Sequence, residues 1–216
     1  MRNHRQRNTR LSFKLLIAYC LPAFILIFLI SLFAFQTDIS FGTLFGDTVT
    51  VNEPLLTGFF STLGILGWCA TAAILVFTWA ALPSSKSKGF YLHFGILTIL
   101  LLLDDLFLLH ERLEESGYPE ESLLLAYALF LLFGLWHYQR HILASNFLTL
   151  GAAFGLFTLS VGIDVIQFRL EQLIGPVRIV LEDGFKFLGI VAWLGYFARM
   201  AYDALRQPTS KLVNDH

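Results

Sequence analysis

The chain has 216 residues, of which 56% are hydrophobic and 14% are charged, and its formal net charge is −1. A soluble domain of this length could not cover so much apolar surface with its polar residues, so the composition argues against a soluble fold. The nearly neutral charge argues against general nucleic-acid binding, which needs a basic surface. The two cysteines, Cys20 and Cys69, fall inside apolar runs without a C-x-x-C pattern, which argues against a disulfide framework or a thiolate zinc site.

Long apolar segments dominate the chain. A helix needs about 20 apolar residues to cross the hydrocarbon core of a bilayer, and helices satisfy their backbone groups internally. The basic N-terminal sequence MRNHRQRNTRLSFK precedes an apolar run that is longer than the signal-peptide h-region of about 7–15 residues. We therefore expect an uncleaved first membrane helix and contact with membrane lipid. The sequence predicts one all-α transmembrane domain over residues 1–216, a polytopic bundle of about six helices at residues 15–35, 54–82, 90–109, 122–136, 147–168 and 179–201.

The lysines and arginines predict how these helices are oriented. With the N-terminus inside, 11 of the 15 basic residues fall in cytoplasmic segments, three (Arg112, Arg169 and Arg178) fall outside, and Lys186 lies within the sixth helix. Cytoplasmic loops of membrane proteins carry an excess of Lys and Arg. We therefore predict a multi-pass protein of the bacterial inner (plasma) membrane with both termini in the cytoplasm. In this orientation 14 of the 16 acidic residues lie in outer loops or at outer helix ends.

The third predicted helix ends in a stretch that is more polar than any other part of the apolar segments. It reads Asp104-Asp105-Leu-Phe-Leu-Leu-His110-Glu111. At a rise of about 1.5 Å per residue, Asp104 lies about 22 Å along the helix from Gly89, which places both aspartates below the outer interface. Ionisable side chains at such a depth are costly, face the bundle interior and mark functional sites.

Two further helices bring charge to a similar level. The fifth carries Asp164 near its outer end, and the sixth opens with Glu182-Asp183-Gly-Phe-Lys186. Glu182 and Lys186 are one helical turn apart on one face. We expect these residues and the acids of the third helix to gather in one outward-facing, buried site.

Three interpretations of this site stay open. It could be a structural network, in which Lys186 forms an ion pair with a carboxylate. It could be a proton or ion relay. It could also bind a divalent metal such as Fe, Mn or Zn, because carboxylates with one imidazole suit these ions. The candidate metal ligands are Asp104, Asp105, His110, Glu111, Asp164, Glu182 and Asp183.

Each interpretation predicts a different function. A metal-bound water could attack a lipid or another membrane-embedded substrate, with Glu111 and His110 as the catalytic residues that move the proton. A relay predicts a small ion- or proton-coupled transporter. A non-catalytic assembly or structural subunit would instead bind a protein partner through the acidic outer loop at residues 111–121.

Two other patterns are expected to be structural. Gly151-Ala-Ala-Phe-Gly155 in the fifth helix is a G-x-x-x-G match, which favours close packing of helices. His137 and His141, four residues apart at the inner interface with Arg140 between them, are expected to be solvated.

The pattern Asp104-Asp105-x-x-x-x-His110-Glu111, followed by Glu182-Asp183-x-x-Lys186-x-x-Gly189, resembles that of an uncharacterised group of bacterial multi-pass membrane proteins. Those proteins carry D-E-x-x-x-x-H-E at the end of one helix and E-E-x-x-E-M-x-G at the start of a later one. The resemblance implies a shared site at the outer leaflet. Lys186 stands where that group has an acid, and an ammonium weakens a metal site and favours an ion pair.

Overall fold

The computed structural model describes residues 2–36, 58–83, 86–109, 112, 117 and 119–206. Within these ranges it contains eight helices and no strand, so the predicted all-α class is confirmed for the described chain. The helices are α1 (Arg2–Gln36), α2 (Phe59–Ala81), α3 (Lys86–Phe107), α4 (Glu120–His137), α5 (Gln139–Ala144), α6 (Phe147–Val165), α7 (Gln167–Ile174) and α8 (Val177–Arg206).

Four of these helices contain a stretch that is long and apolar enough to cross a membrane. The apolar part of α4, Ser122–His137, is shorter. Helix α8 is 30 residues long and carries four charged side chains in its first three turns, and it is not among the candidate spans. The four candidate spans among the described residues are Leu16–Gln36, Phe59–Ala81, Ser87–Phe107 and Phe147–Val165.

Two predicted helix ends differ in the structure. The segment predicted at 147–168 ends at Val165, because Ile166 leaves the helical conformation (φ −103°, ψ 16°) and α7 follows as a separate helix. The segment predicted at 90–109 begins at Lys86 and ends at Phe107, where Leu108 takes a positive φ of 52°. Neither end carries a Gly or Pro that would have located it in the sequence. Residues 54–57 of the second predicted segment lie outside the described residues.

Contacts within the chain divide it into two compact units, Met1–Gly67 with Asn146–Gly195 and Trp68–Ser145 with Tyr196–His216. In the first unit α1 packs against α6. The core of this unit includes Ala23 and Ile27 of α1, which lie one turn apart on one helix face. Phe24 and Phe28, on another face of α1, are 56% and 59% exposed. The two phenyl rings thus lie on the exposed surface of α1.

A glycine allows a close approach inside the first unit. A Cβ atom added at Gly189 of α8 would lie 2.7 Å from Cε1 of Phe157, a ring carried by α6. The same ring packs against the buried Trp193, with ring centroids 6.5 Å apart. Gly189 is therefore required for the contact between α8 and the Phe157 ring.

The second unit has an aromatic core formed by α3 and the C-terminal part of α8. Phe94 and Phe197, both fully buried, have ring centroids 5.2 Å apart. The Tyr91 hydroxyl donates a hydrogen bond of 3.0 Å to the carbonyl of Met200. These contacts anchor the first half of α3, from which the helix extends to the two aspartates.

His137 and His141 of the second unit differ in their surroundings. His137 is exposed. His141 is half-buried, and its ring centroid lies 4.8 Å from that of Phe90. The expectation that His141 is solvated is wrong, because this aromatic contact removes its ring from solvent and burial lowers the pKa of His141.

Replacement of Gly189 by Ala tests the packing of the first unit. We expect Gly189→Ala to lower the free energy of unfolding by about 1–3 kcal/mol, the usual cost of overpacking a helix contact. The matched control is Gly151→Ala, because nothing lies within 4 Å of a Cβ added there. Thermal unfolding of the purified protein in detergent measures both. Equal melting temperatures for the two variants would contradict the described contact.

Candidate functional site

Asp104 lies in the last turn of α3, near the end of the candidate span Ser87–Phe107. Asp104 is 7% exposed, and the helix that carries it is long and apolar enough to cross a membrane. Tyr127 of α4, which packs against α3, is partly buried and interacts electrostatically with Asp104. The structure therefore buries Asp104 in a helix that packs against α4.

Asp105 forms a hydrogen bond with a residue of a different helix, α2. The indole Nε1–H of Trp68, in α2, donates a hydrogen bond of 2.9 Å to Oδ2 of Asp105. Trp68 is only 4% exposed. Successive residues of a helix point about 100° apart, so Asp104 and Asp105 interact with different neighbours. The sequence analysis did not find Trp68, because a tryptophan in an apolar helix carries no signal for the direction of its N–H group.

The backbone changes direction directly after the two aspartates. Leu108 has a φ of 52°, in the left-handed region that costs a non-glycine residue about 1–2 kcal/mol. Beyond it the chain is helical again at Leu109, and the Arg112 N–H donates to the Leu108 carbonyl. The polar end of α3 is thus an interrupted helix. His110 and Glu111, predicted as catalytic residues and metal ligands, lie outside the described residues.

The first unit contains a separate charged network at the start of α8. Arg178 Nε donates to Glu171 Oε2 of α7 over 3.1 Å, and Arg178 Nη1 donates to Glu182 Oε2 one turn further along α8. The Arg178 side chain is 16% exposed. One guanidinium therefore joins two carboxylates of two helices.

The remaining charges of the first unit lie around Glu182. Asp164, exposed at the end of α6, and Lys186, one turn after Glu182, both interact electrostatically with the Glu182 carboxylate. Asp183 is partly buried. Asp164 and Lys186 thus lie close enough to Glu182 to affect its charge. Arg178 and Glu171 also belong to this network, and neither is among the site residues predicted from the sequence.

The Arg178–Glu182 contact had a sequence signal, since the two residues are four apart at a helix start. In the sequence, Arg178 serves only as one of the basic residues that predict the orientation of the helices in the membrane. The Glu171 contact had no such signal, because it depends on α7, a helix that follows an unpredicted break.

Among the described residues, no group of three or more His, Cys, Asp or Glu side chains could hold a metal ion. Of the predicted ligands, Asp104 and Asp105 belong to the second unit, and Asp164, Glu182 and Asp183 belong to the first. In the first unit, guanidinium and ammonium groups accompany the carboxylates. This arrangement favours the ion-pair interpretation for that part of the predicted site.

Comparison with known proteins places the chain in one family. A family model described as a domain of unknown function (DUF8692) matches residues 20–200, and the chain belongs to that family. No curated protein and no solved structure matches it. The matched region contains both aspartates of α3 and the charged start of α8, and its description agrees with the predicted membership of an uncharacterised group.

Removal of the Trp68 N–H tests the hydrogen bond to Asp105. We expect Trp68→Phe to lower the free energy of unfolding by about 2 kcal/mol, because a hydrogen bond to a charged group contributes about 1.5–3 kcal/mol. Trp136→Phe is the control, since Trp136 is 69% exposed. Chemical denaturation followed by far-UV circular dichroism measures the difference. Losses of equal size in the two variants would argue against the hydrogen bond.

Removal of Arg178 tests the charged network of the first unit. We expect Arg178→Ala to cost about 2 kcal/mol of unfolding free energy, less than the loss of a fully buried partner, because the network is partly solvated. Arg169→Ala, at an exposed position of α7, should change stability by less than about 0.5 kcal/mol. Melting temperatures at low and high salt distinguish the two. An Arg178→Ala variant as stable as Arg169→Ala at low salt would refute the network.

Proposed function

We propose that this protein is a small ion- or proton-coupled membrane transporter, and that the transported or coupling cation passes the Asp104 carboxyl group at the outer end of α3. One observation carries the proposal. Asp104 is an ionisable side chain, 7% exposed, within a helix that is long and apolar enough to cross a membrane. Such side chains are expensive in a membrane and occur along ion and proton pathways.

The surroundings of Asp104 support this proposal. Its neighbour Asp105 is held by the Trp68 indole, so the local geometry is ordered by a hydrogen bond between α2 and α3. The helix is interrupted at Leu108, immediately after the aspartates. Broken helices with charged or carbonyl ligands near the break are a common way for transporters to bind ions within the membrane.

The proposal includes a topology. We propose six membrane crossings with both termini in the cytoplasm of a bacterial cell and the protein in its inner membrane. The fourth crossing is Ser122–His137 extended by its flanks, and the sixth is α8 with its charged first turns at the outer end. The excess of Lys and Arg on the proposed inner side supports this orientation.

A metal-dependent enzyme is the second candidate. Its metal site would combine Asp104 and Asp105 with His110 and Glu111, which follow within a few residues. The metal would be Fe, Mn or Zn, and its bound water would react with a lipid or membrane-embedded substrate. The observation in its favour is the position of both aspartates at the helix end that leads into His110 and Glu111. A third candidate, an assembly subunit that binds a protein through residues 111–121, rests on the acidic composition of that loop.

Flux measurements in proteoliposomes test the proposed transporter. Vesicles that contain the full chain are given a proton or a sodium gradient, and an entrapped pH-sensitive or sodium-sensitive dye reports movement of the cation. We expect flux through the wild-type protein and a reduction of about tenfold or more in Asp104→Asn. The neutral amide can neither take up and release a proton nor offer a negative charge to a cation. Asp203→Asn is the control, since Asp203 is exposed and bonded to Arg199 at the other end of the second unit.

Two outcomes would overturn the transporter. The first is the lack of flux with either cation, and the second is equal flux in wild type and Asp104→Asn. Elemental analysis of the same preparation adds a further criterion. About one equivalent of tightly bound divalent metal, lost in Asp105→Ala and His110→Ala, would replace the transporter with the metal-dependent enzyme.

A further inference from the structure

Helix α7 combines polar side chains with exposed apolar ones. Its eight residues, Gln167–Ile174, include one arginine, one glutamate and two glutamines. Charged side chains are costly at the centre of a bilayer, so this composition does not suit the hydrocarbon core. The same helix leaves Phe168 81% exposed and Leu173 78% exposed. Short helices with both properties are suited to the boundary between lipid headgroups and acyl chains.

The position of α7 along the chain brings it to that boundary. It begins one residue after the candidate span Phe147–Val165. The 19 residues of this span form a helix about 28 Å long, close to the hydrocarbon thickness of about 30 Å. Ile166 alone separates the span from α7, and one residue extends the chain by at most about 3.5 Å. A helix that begins so close to the end of a span begins at the edge of the hydrocarbon core.

Contacts within the first unit hold the other end of α7. Arg178 Nε donates over 3.1 Å to Glu171 Oε2, and Arg178 also bonds Glu182 of α8. Gly175, with a φ of 55°, follows the helix, and its N–H donates over 3.0 Å to the Glu171 carbonyl. Helix α7 is therefore attached to α6 at its start and to α8 at its end, and it presents an ordered surface.

Four residues of α7 lie on one exposed face of the helix. They are Phe168, Arg169, Gln172 and Leu173. At about 100° per residue these positions fall within about 140° of one another, and Arg169 lies between the two apolar side chains. A guanidinium group donates paired hydrogen bonds to phosphate oxygens. Apolar side chains on both sides of it suit the acyl chains that extend from a lipid phosphate.

We propose that this face of α7 binds the headgroup region of a phospholipid bilayer, with the Arg169 guanidinium on a lipid phosphate and with Phe168 and Leu173 against the upper acyl chains. The occupant is lipid because the face follows the end of a candidate span after a single residue, and because its charge is opposite to that of phosphate. The ion pair between Arg178 and Glu171 positions the helix. This inference does not depend on whether the protein transports an ion.

Depth measurements on the full chain in lipid test the position of α7. Cys20 and Cys69 are replaced by alanine, and the fluorophore NBD is attached in the variants Phe168→Cys and Leu173→Cys. Nanodiscs of phosphatidylcholine and phosphatidylglycerol carry a nitroxide in the headgroup, near the start of the acyl chain or near its end. We expect blue-shifted emission, and quenching that is strongest by the nitroxide near the start of the acyl chain. The same label in Asp203→Cys, at an exposed position of α8, should emit as in water.

The labelled variants should melt at the same temperature as the cysteine-free parent, because exposed side chains contribute little to stability. Two labelled positions give independent measurements of depth on the same face. Agreement between Phe168→Cys and Leu173→Cys therefore supports an interfacial position of the whole face.

Lipid titrations test the role of Arg169. The protein in an uncharged detergent receives either phosphatidylglycerol or diacylglycerol, which has the same acyl chains without the phosphate. A ligand that binds the folded state raises the melting temperature. We expect phosphatidylglycerol to raise that of the wild type, and Arg169→Gln to need about tenfold more lipid for the same rise. Arg169→Lys keeps the charge and should lie between them. Arg140→Gln, at an exposed position of α5, is the matched control and should respond as the wild type does.

The possible results separate lipid from other occupants. Water-like emission at both labelled positions, without quenching by any lipid nitroxide, would overturn the interfacial position. Blue-shifted emission that no lipid nitroxide quenches would also overturn it, in favour of a protein such as a second copy of the chain. Equal responses of the wild type and Arg169→Gln to phosphatidylglycerol, or equal stabilisation by diacylglycerol, would overturn the phosphate contact. A lack of cation flux would overturn the transporter and leave this inference standing.

Discussion

The cost of burying a carboxyl group in a helix that is apolar enough to cross a membrane is the constraint on which the arrangement of the second unit depends. Asp104 is 7% exposed near the end of an apolar helix. A charge at that depth is stable only where polar groups or a counter-ion compensate for the lost water. Helix α4 packs against α3, and Trp68 of α2 donates a hydrogen bond to the neighbouring Asp105. The buried aromatic contacts of Phe94 and Tyr91 hold the first half of α3 in place.

The first unit meets a similar constraint by direct ion pairing. Arg178 joins Glu171 and Glu182, and Lys186 adds a second positive charge next to Glu182. Paired charges of this kind contribute modestly to net stability, but removal of one partner is costly. In the first unit Glu171 and Glu182 are parts of an ion-pair network with Arg178. In the second unit Asp104 is buried, and its neighbour Asp105 accepts a hydrogen bond from the Trp68 indole.

Some of this structure could be predicted from the sequence because it depends on runs of residues. The apolar runs located all four candidate spans, and counting residues from Gly89 predicted that Asp104 is buried. The spacing of Glu182 and Lys186 predicted that they interact.

Other features depend on rotamers and local breaks that one sequence does not encode in a readable pattern. The Trp68 hydrogen bond requires a particular indole orientation, and the Glu171 contact requires the helix break at Ile166. The half-burial of His141 depends on its contact with Phe90, a residue 51 positions earlier in the chain. The prediction that all the acidic residues share one site remains a prediction.

The most direct test of the central claim is an infrared difference spectrum of the reconstituted protein, recorded as sodium replaces choline and as the pH is changed. If the cation passes Asp104, its carboxyl stretching bands shift with sodium or with pH, and this difference signal disappears in Asp104→Asn while it persists in Asp203→Asn. A spectrum that changes neither with sodium nor with pH, or one in which the same carboxyl signal persists without Asp104, would contradict the claim that the cation passes this buried group.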